Sequence, residues 1–147
     1  MHKTMLTLVA MAVVFGLNAR AEDKQDHELF NKRIHEVNNT AKQRNMIPTA
    51  LKHISVETGV PLAEVESMHK SHAGTGAAGM LIACVLADET KKPPEEFLRQ
   101  HEKGKSWAAI AHDHQVPLDK LSARLDRLEA TFSNAYAGKS VEKKHHK

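Results

Sequence analysis

The chain has 147 residues, 27% of them charged and 41% apolar, a balance typical of a folded, water-soluble protein. Its length allows one domain and excludes a large multidomain enzyme. The single cysteine excludes a disulfide framework within the chain and a cysteine-based zinc or iron–sulfur site.

The N-terminus has the order of parts found in a secretory signal peptide. Lys3 gives a basic start, residues 5–17 (MLTLVAMAVVFGL) form an apolar run, and Ala19 and Ala21 supply a small-x-small cleavage site. The run is well short of the roughly 20 residues that a membrane-spanning helix needs. We therefore predict a signal peptide over residues 1–21, no stable membrane anchor after cleavage, and export to the periplasm or the medium.

The formal net charge of +3 comes from the two ends of the chain. Lys3 and Arg20 fall in the predicted signal peptide, and residues 139–147 carry four lysines and one glutamate. The body over residues 22–138 then has 15 basic and 17 acidic side chains. A slightly acidic body does not favour a nucleic-acid partner. We expect residues 137–147 to form a disordered basic tail.

Helix signals recur along the body, whereas strand signals are nearly absent. Residues 22–45 carry an apolar stripe in a charged segment and predict an N-terminal amphipathic helix. Residues 46–136 predict a helical domain, in which prolines open helices and glycines end them. A short segment over about 76–87 has little polar surface, so we expect it at the centre of the core. The predicted fold class is all-α.

An internal repeat organises this domain in our interpretation. Residues 51–68 align with residues 107–124 at an offset of 56 without gaps, and four positions in the turn and core are identical. Each segment predicts a short helix, a tight turn and a second helix, and the two units would flank the central apolar helix. The predicted core residues are Leu51, Ile54, Val60, Leu62, Leu81, Cys84, Trp107, Ile110, Val116, Leu118, Leu121 and Leu125.

The last helix carries apolar residues at heptad spacing, namely Leu118, Leu121, Leu125, Leu128 and Phe132. This seam is just over two heptads long, shorter than the three to four heptads that indicate a coiled coil. Packing on the chain's own core and packing in a dimer both fit the pattern. The short length favours the first, and so a monomer.

Two segments resemble known bacterial patterns. The run over 107–121, W-x-x-I-A followed by V-P-L-x-x-L, resembles the helix-turn-helix of bacterial DNA-binding domains. That family contacts DNA through basic or amide residues on its second helix. Here the helix over 61–70 carries two glutamates, and the helix over 117–129 balances its arginines with acids.

The second pattern is G-K-x-W-x-x-I-A, read at Gly104, Lys105, Trp107, Ile110 and Ala111. It is similar to a segment of small secreted bacterial helical proteins of unknown function, over roughly residues 74–121. This resemblance implies a compact exported helical module and implies no activity.

Histidine is the enriched functional residue, with ten left after the predicted cleavage. His69 and His72 form an i, i+3 pair at a helix end, and His112 and His114 flank Asp113. Imidazole binds zinc, copper or nickel well, but a stable site usually needs three or four ligands. The four histidines are therefore an alternative divalent-metal site beside the commoner explanation, cations placed at helix C-termini.

The sequence contains no catalytic motif in the structural context that the motif requires. The segment over 74–79 matches the letters G-x-G-x-x-G, but no strand precedes it, so it does not indicate a dinucleotide site. No serine nucleophile elbow and no HExxH motif occur. We expect no enzymatic activity and no cofactor, with Cys84 and Trp107 serving as core residues.

These observations predict an exported bacterial helical protein that acts by binding, as an interaction or structural module of the envelope. Its partner would be a protein or another envelope component. The expected binding surface is a groove between the two repeat units, formed by hydrophobic residues that the core does not need and rimmed by charges. The alternative is a histidine-based metal-binding or metal-stress protein.

Overall fold

The computed structural model describes the backbone of residues 6–142 and the side chains of residues 23–140. Within that part the chain forms seven α-helices and no strand, so the all-α prediction is confirmed. The helices are α1 (Leu6–Gln43), α2 (Ile47–Thr58), α3 (Leu62–Ser71), α4 (Gly76–Thr90), α5 (Pro94–Glu102), α6 (Trp107–Asp113) and α7 (Leu118–Glu142).

Helix α4 lies at the centre of the core. Residues 77–87 are all buried, and α4 packs against each of the other six helices. Small residues at its N-terminal end allow this close approach, since a Cβ at Gly79 would overlap the Thr75 side chain and lie 3.0 Å from Nε1 of Trp107. The apolar run AAGMLIACVLA is thus buried on every side, which explains its lack of a polar face.

The N-terminus of α4 is capped by a residue from α1. The Thr75 side chain makes no capping bond, and Asn38 supplies one instead. Its Oδ1 accepts from the Ala78 N–H at 2.7 Å, and its Nδ2 donates to the Thr75 carbonyl at 3.3 Å. Gly76 has a φ of +76°, and a Cβ there would meet the Asn38 side chain at 2.5 Å. This turn therefore requires glycine.

The turns of the two aligned segments have matching backbones. Gly59 and Gln115, which are 56 residues apart, both adopt left-handed conformations, with φ of +76° and +58°. A valine and a proline follow each of them, and the Pro61 and Pro117 carbonyls accept from N–H groups in the first turns of α3 and α7. The descent of both segments from one repeated unit stays a prediction.

Nine of the twelve predicted core residues are buried: Leu51, Ile54, Leu81, Cys84, Trp107, Ile110, Val116, Leu121 and Leu125. The placement of Leu62 in the core was wrong, because its side chain is 37% exposed. Leu62 begins α3, and the buried stripe of that short helix starts one turn later, at Val65. Val60 and Leu118 are half-buried and pack against the edge of the core.

The heptad seam of α7 packs against the core of the same chain. Leu121, Leu125, Leu128 and Phe132 are fully buried in the core. The helix then continues to Glu142, so the predicted disordered tail does not begin at residue 137. Residues 137–140 are exposed, and elongation of a helix already formed costs little. Residues 143–147 lie outside the described part of the chain.

Helix α1 begins at Leu6, well before residue 22, and its backbone passes through Ala19 and Ala21. Cleavage after Ala21 stays a prediction. The buried stripe of α1 consists of Phe30, Ile34, Val37 and Ala41. A helix with the length and apolar sequence needed to cross a membrane is not found among the described residues.

Candidate functional site

A polar cluster joins α2 to α7, where the two aligned units meet. The Glu57 carboxylate accepts from Nη1 of Arg124 at 3.0 Å and from Nε of Arg127 at 2.6 Å. It also lies 2.7 Å from Nε2 of His53, whose Nδ1 lies 3.0 Å from the Thr131 hydroxyl. We expected a groove between the two units, but this cluster occupies their contact.

The ionisation of Glu57 depends on the side chains that donate hydrogen bonds to its carboxylate. Burial raises the pKa of this carboxyl, whereas hydrogen bonds from Arg127, His53 and Arg124 lower it, and the lowering prevails. The Glu57 side chain is only 11% exposed. An ionised Glu57 therefore stabilises the contact between α2 and α7.

Three of the four histidines predicted as metal ligands contact separate side chains, and the fourth, His69, makes no ion pair or ring contact among the described residues. Nδ1 of His72 pairs with the Glu102 carboxylate, and the His112 ring lies 6.2 Å from the His27 ring. The His114 ring packs edge-on against Phe97, and His69 lies at the end of α3. No three His, Cys, Asp or Glu side chains among the described residues could hold a metal ion together. The geometry therefore gives the metal alternative no support.

Asp113, which could have added an oxygen ligand, is engaged elsewhere. It pairs with Nζ of Lys105, and this hydrogen bond holds the Asp113 pKa below its usual range, helped by the neighbouring His112 and His114 charges. The Asp113 side chain, at the end of α6, is thus paired with Lys105, which lies just before the start of α6.

Trp107 and Cys84 are packing residues. The indole of Trp107 is buried against α4, and its remaining face stacks on His101, with ring centroids 4.5 Å apart. Burial, with the charges of Glu64 and Glu95, raises the pKa of the Cys84 thiol to about 12. Both side chains are fully buried, at 1% and 0% exposure.

The structure instead opens a groove between α1 and the start of α7. Two adjoining cavities of about 220 and 210 Å³ share Asp26, Leu118 and Asp119. We name this surface the α1–α7 groove; its lining is Asp23, Asp26, His27, Leu29, Phe30, Arg33, Pro117, Leu118, Asp119 and Ser122.

The floor of the α1–α7 groove is apolar. Leu29 is 57% exposed, Leu118 is half-buried, and Phe30 below them belongs to the core. Leu29 lies outside the buried stripe of α1, so the core does not require its leucine side chain. It is available for an apolar contact with a partner.

The rim of the groove is acidic. Asp23, Asp26 and Asp119 form no ion pair with any described residue. Arg33 is the cation beside them, and its guanidinium is held by Asp126 at 2.7 Å and by Glu129 at 2.5 Å, both on α7. Asp126, which has the larger effect, and Glu129 raise the Arg33 pKa, and their negative charges neutralise its positive charge. The three aspartates thus give the groove an excess of negative charge.

Sequence reasoning missed this groove because its two walls are about ninety residues apart in the chain. In the sequence, Asp26 and Asp119 are typical of solvent-exposed acids. Asp119 also lies in the first turn of α7, where the helix dipole favours a negative charge. Leu29 was the one signal, a large apolar residue off the α1 stripe.

Comparison of the chain with protein-family models, with curated proteins and with solved structures gave no match. The resemblances to helix-turn-helix domains and to small secreted helical proteins stay predictions.

Proposed function

We propose that this chain is an exported, non-catalytic binding protein of the bacterial envelope, and that the α1–α7 groove is its docking surface. The observation that carries the proposal is one groove that combines the exposed Leu29 with three aspartates left without an ion pair among the described residues. The signal-like sequence over residues 1–21 supports the envelope location.

Charge and shape define the partner. Three carboxylates attract a cationic segment, and they act chiefly on the association rate and on specificity. The apolar floor at Leu29 and Leu118 adds burial, which is the larger source of affinity. The occupant is therefore a protein segment in which lysine or arginine accompanies leucine-like side chains. The small groove fits a weak, transient contact.

The charge requirement is tested with a fluorescein-labelled peptide of leucine and lysine, by fluorescence anisotropy on the purified protein. The double variant D26N/D119N should bind at least about tenfold more weakly, equivalent to about 1.4 kcal/mol. The matched control D88N/E66Q removes the same charge at exposed positions on α4 and α3. Equal weakening in both variants would show that only net charge matters and would contradict the groove.

The apolar requirement is tested with two matched substitutions. Leu29→Ser removes the exposed leucine of the groove, and Val56→Ser removes a side chain that is 80% exposed on α2. We expect the first to weaken peptide binding and the second to leave it unchanged. Both variants should keep their helical content because both positions lie on the surface, and circular dichroism would check this.

A further inference from the structure

A second cavity, of about 370 Å³, lies between α1, the start of α2 and the segment joining α3 to α4. This volume falls within the roughly 300–1,000 Å³ range of small-molecule sites. His35, Asn38, Asn39 and Lys42 line it from one face of α1, at positions i, i+3, i+4 and i+7, and His69 lines it from α3.

The lining is rich in hydrogen-bond donors. It contains one ammonium group, two imidazoles and two amides, and no carboxylate is among its residues. Lys42, His35 and His69 have no ion-pair or side-chain hydrogen-bond partner within the described chain. By contrast, His53 and His72 each bond to a glutamate. Three groups that are or can become cations, two of them solvent-exposed, thus line an open cavity without a partner among the described residues.

Helix ends account for the positions of Lys42 and His69, but they give these side chains no hydrogen-bond partner among the described residues. Lys42 lies in the last turn of α1 and His69 in the last turn of α3, where cations are generally favourable. The carbonyls there already accept backbone N–H groups, for example that of Ala41 from Met46 at 2.7 Å. The start of α4 is likewise already capped by Asn38. Among the described residues, the side chains of Lys42, His35 and His69 therefore have no hydrogen-bond partner, whereas the Asn38 amide has two.

We propose that this cavity binds a small ligand through a phosphate group, with Lys42, His35 and His69 as its donors. Lysine and imidazolium groups from two helices can each bond one oxygen of a tetrahedral anion. The half-buried Ile47 at the cavity wall offers an apolar contact to the remainder of a phosphate ester. A divalent metal is disfavoured, because the lysine repels it and two histidines are too few ligands.

The test is an NMR titration of the isotope-labelled protein with phenyl phosphate and, separately, with inorganic phosphate. It is run near pH 6, where histidine side chains in general gain a proton. We expect saturable shifts of the His35, Lys42 and His69 signals. Tighter binding of phenyl phosphate would identify an ester as the preferred ligand, and equal binding would show that the phosphate group alone is recognised; both results support a phosphate site.

The double variant K42Q/H69Q should bind phenyl phosphate at least about tenfold more weakly, whereas the matched control K52Q/H112Q, at exposed positions on α2 and α6, should bind as the unchanged protein does. Circular dichroism separates a lost site from a lost fold. The proposal is overturned by the absence of saturable shifts, by equal binding in both variants, or by a zinc titration that shifts His35 and His69 when neither phosphate does.

Discussion

Asn38 is a side chain on one helix that completes the hydrogen bonding of another. Its amide accepts from Ala78 and donates to Thr75, so it fixes the start of α4 against α1. A side-chain cap of a helix N-terminus contributes about 1–2 kcal/mol.

We therefore expect Asn38→Ala to lower the free energy of unfolding by about 1–2 kcal/mol, measured by urea denaturation. The neighbouring Asn39 is exposed and makes no side-chain hydrogen bond among the described residues, so Asn39→Ala should change it by less than about 0.5 kcal/mol. Equal losses in the two variants would contradict the capping role.

The burial of Cys84 makes its thiol unreactive in the native protein. The thiol is fully buried, and its pKa is raised to about 12, so almost no thiolate exists at pH 8. We expect a thiol reagent such as Ellman's reagent to react with the native protein only as fast as the core opens, and rapidly after urea unfolding. Rapid reaction of the native protein would show that α4 is less well covered than the structure indicates.

At the scale of elements, the Glu57 cluster holds α2 on α7 and makes this contact sensitive to acid. The Glu57 pKa in the folded chain is lowered from its usual 4.5, so its stabilisation is present above that value and is lost as the pH falls through the folded pKa.

We expect Glu57→Gln to destabilise the protein at pH 7 and to reduce the loss of stability between pH 5 and pH 3. Thermal unfolding at each pH measures both effects. Glu66→Gln, at an exposed position on α3, is the matched control and should follow the unchanged protein. A Glu57→Gln curve parallel to that of the control would contradict the coupling.

Local sequence signals mark the starts of several helices. Pro48 and Pro94 lie in the first turns of α2 and α5, and Ser106 caps α6, accepting from the Ala109 N–H at 3.2 Å. Each signal acts through its own neighbours, so it can be read from a short stretch of sequence. The placement of Leu62 in the core was wrong because the packing around a helix, and not its own sequence, decides the burial of its tip. The end of α7 was placed too early because a helix already formed extends at little cost over exposed residues.

At the scale of the whole molecule, both proposed sites arise where α1 meets helices distant in sequence. The α1–α7 groove uses residues 23–33 of α1, and the phosphate cavity uses residues 35–42. The predicted core stripe of α1 fixed which face is buried, but not which helix covers it. The sites on its flanks could therefore not be predicted before the helices were placed.

The two sites make independent predictions. The variant D26N/D119N should lose peptide binding and keep the phenyl phosphate shifts, because the cavity lining includes neither aspartate. The variant K42Q/H69Q should do the reverse. Loss of both functions in one variant, with the helical content kept, would mean that the surfaces are coupled or that one of them is misassigned.

An NMR titration of the isotope-labelled protein with the leucine–lysine peptide would show directly whether the α1–α7 groove is the docking surface. We expect the largest shifts on Asp26, Leu29, Leu118 and Asp119, and no shift on Val56 of α2. Shifts spread over the acidic side chains of the whole surface, or centred away from these four residues, would contradict that assignment.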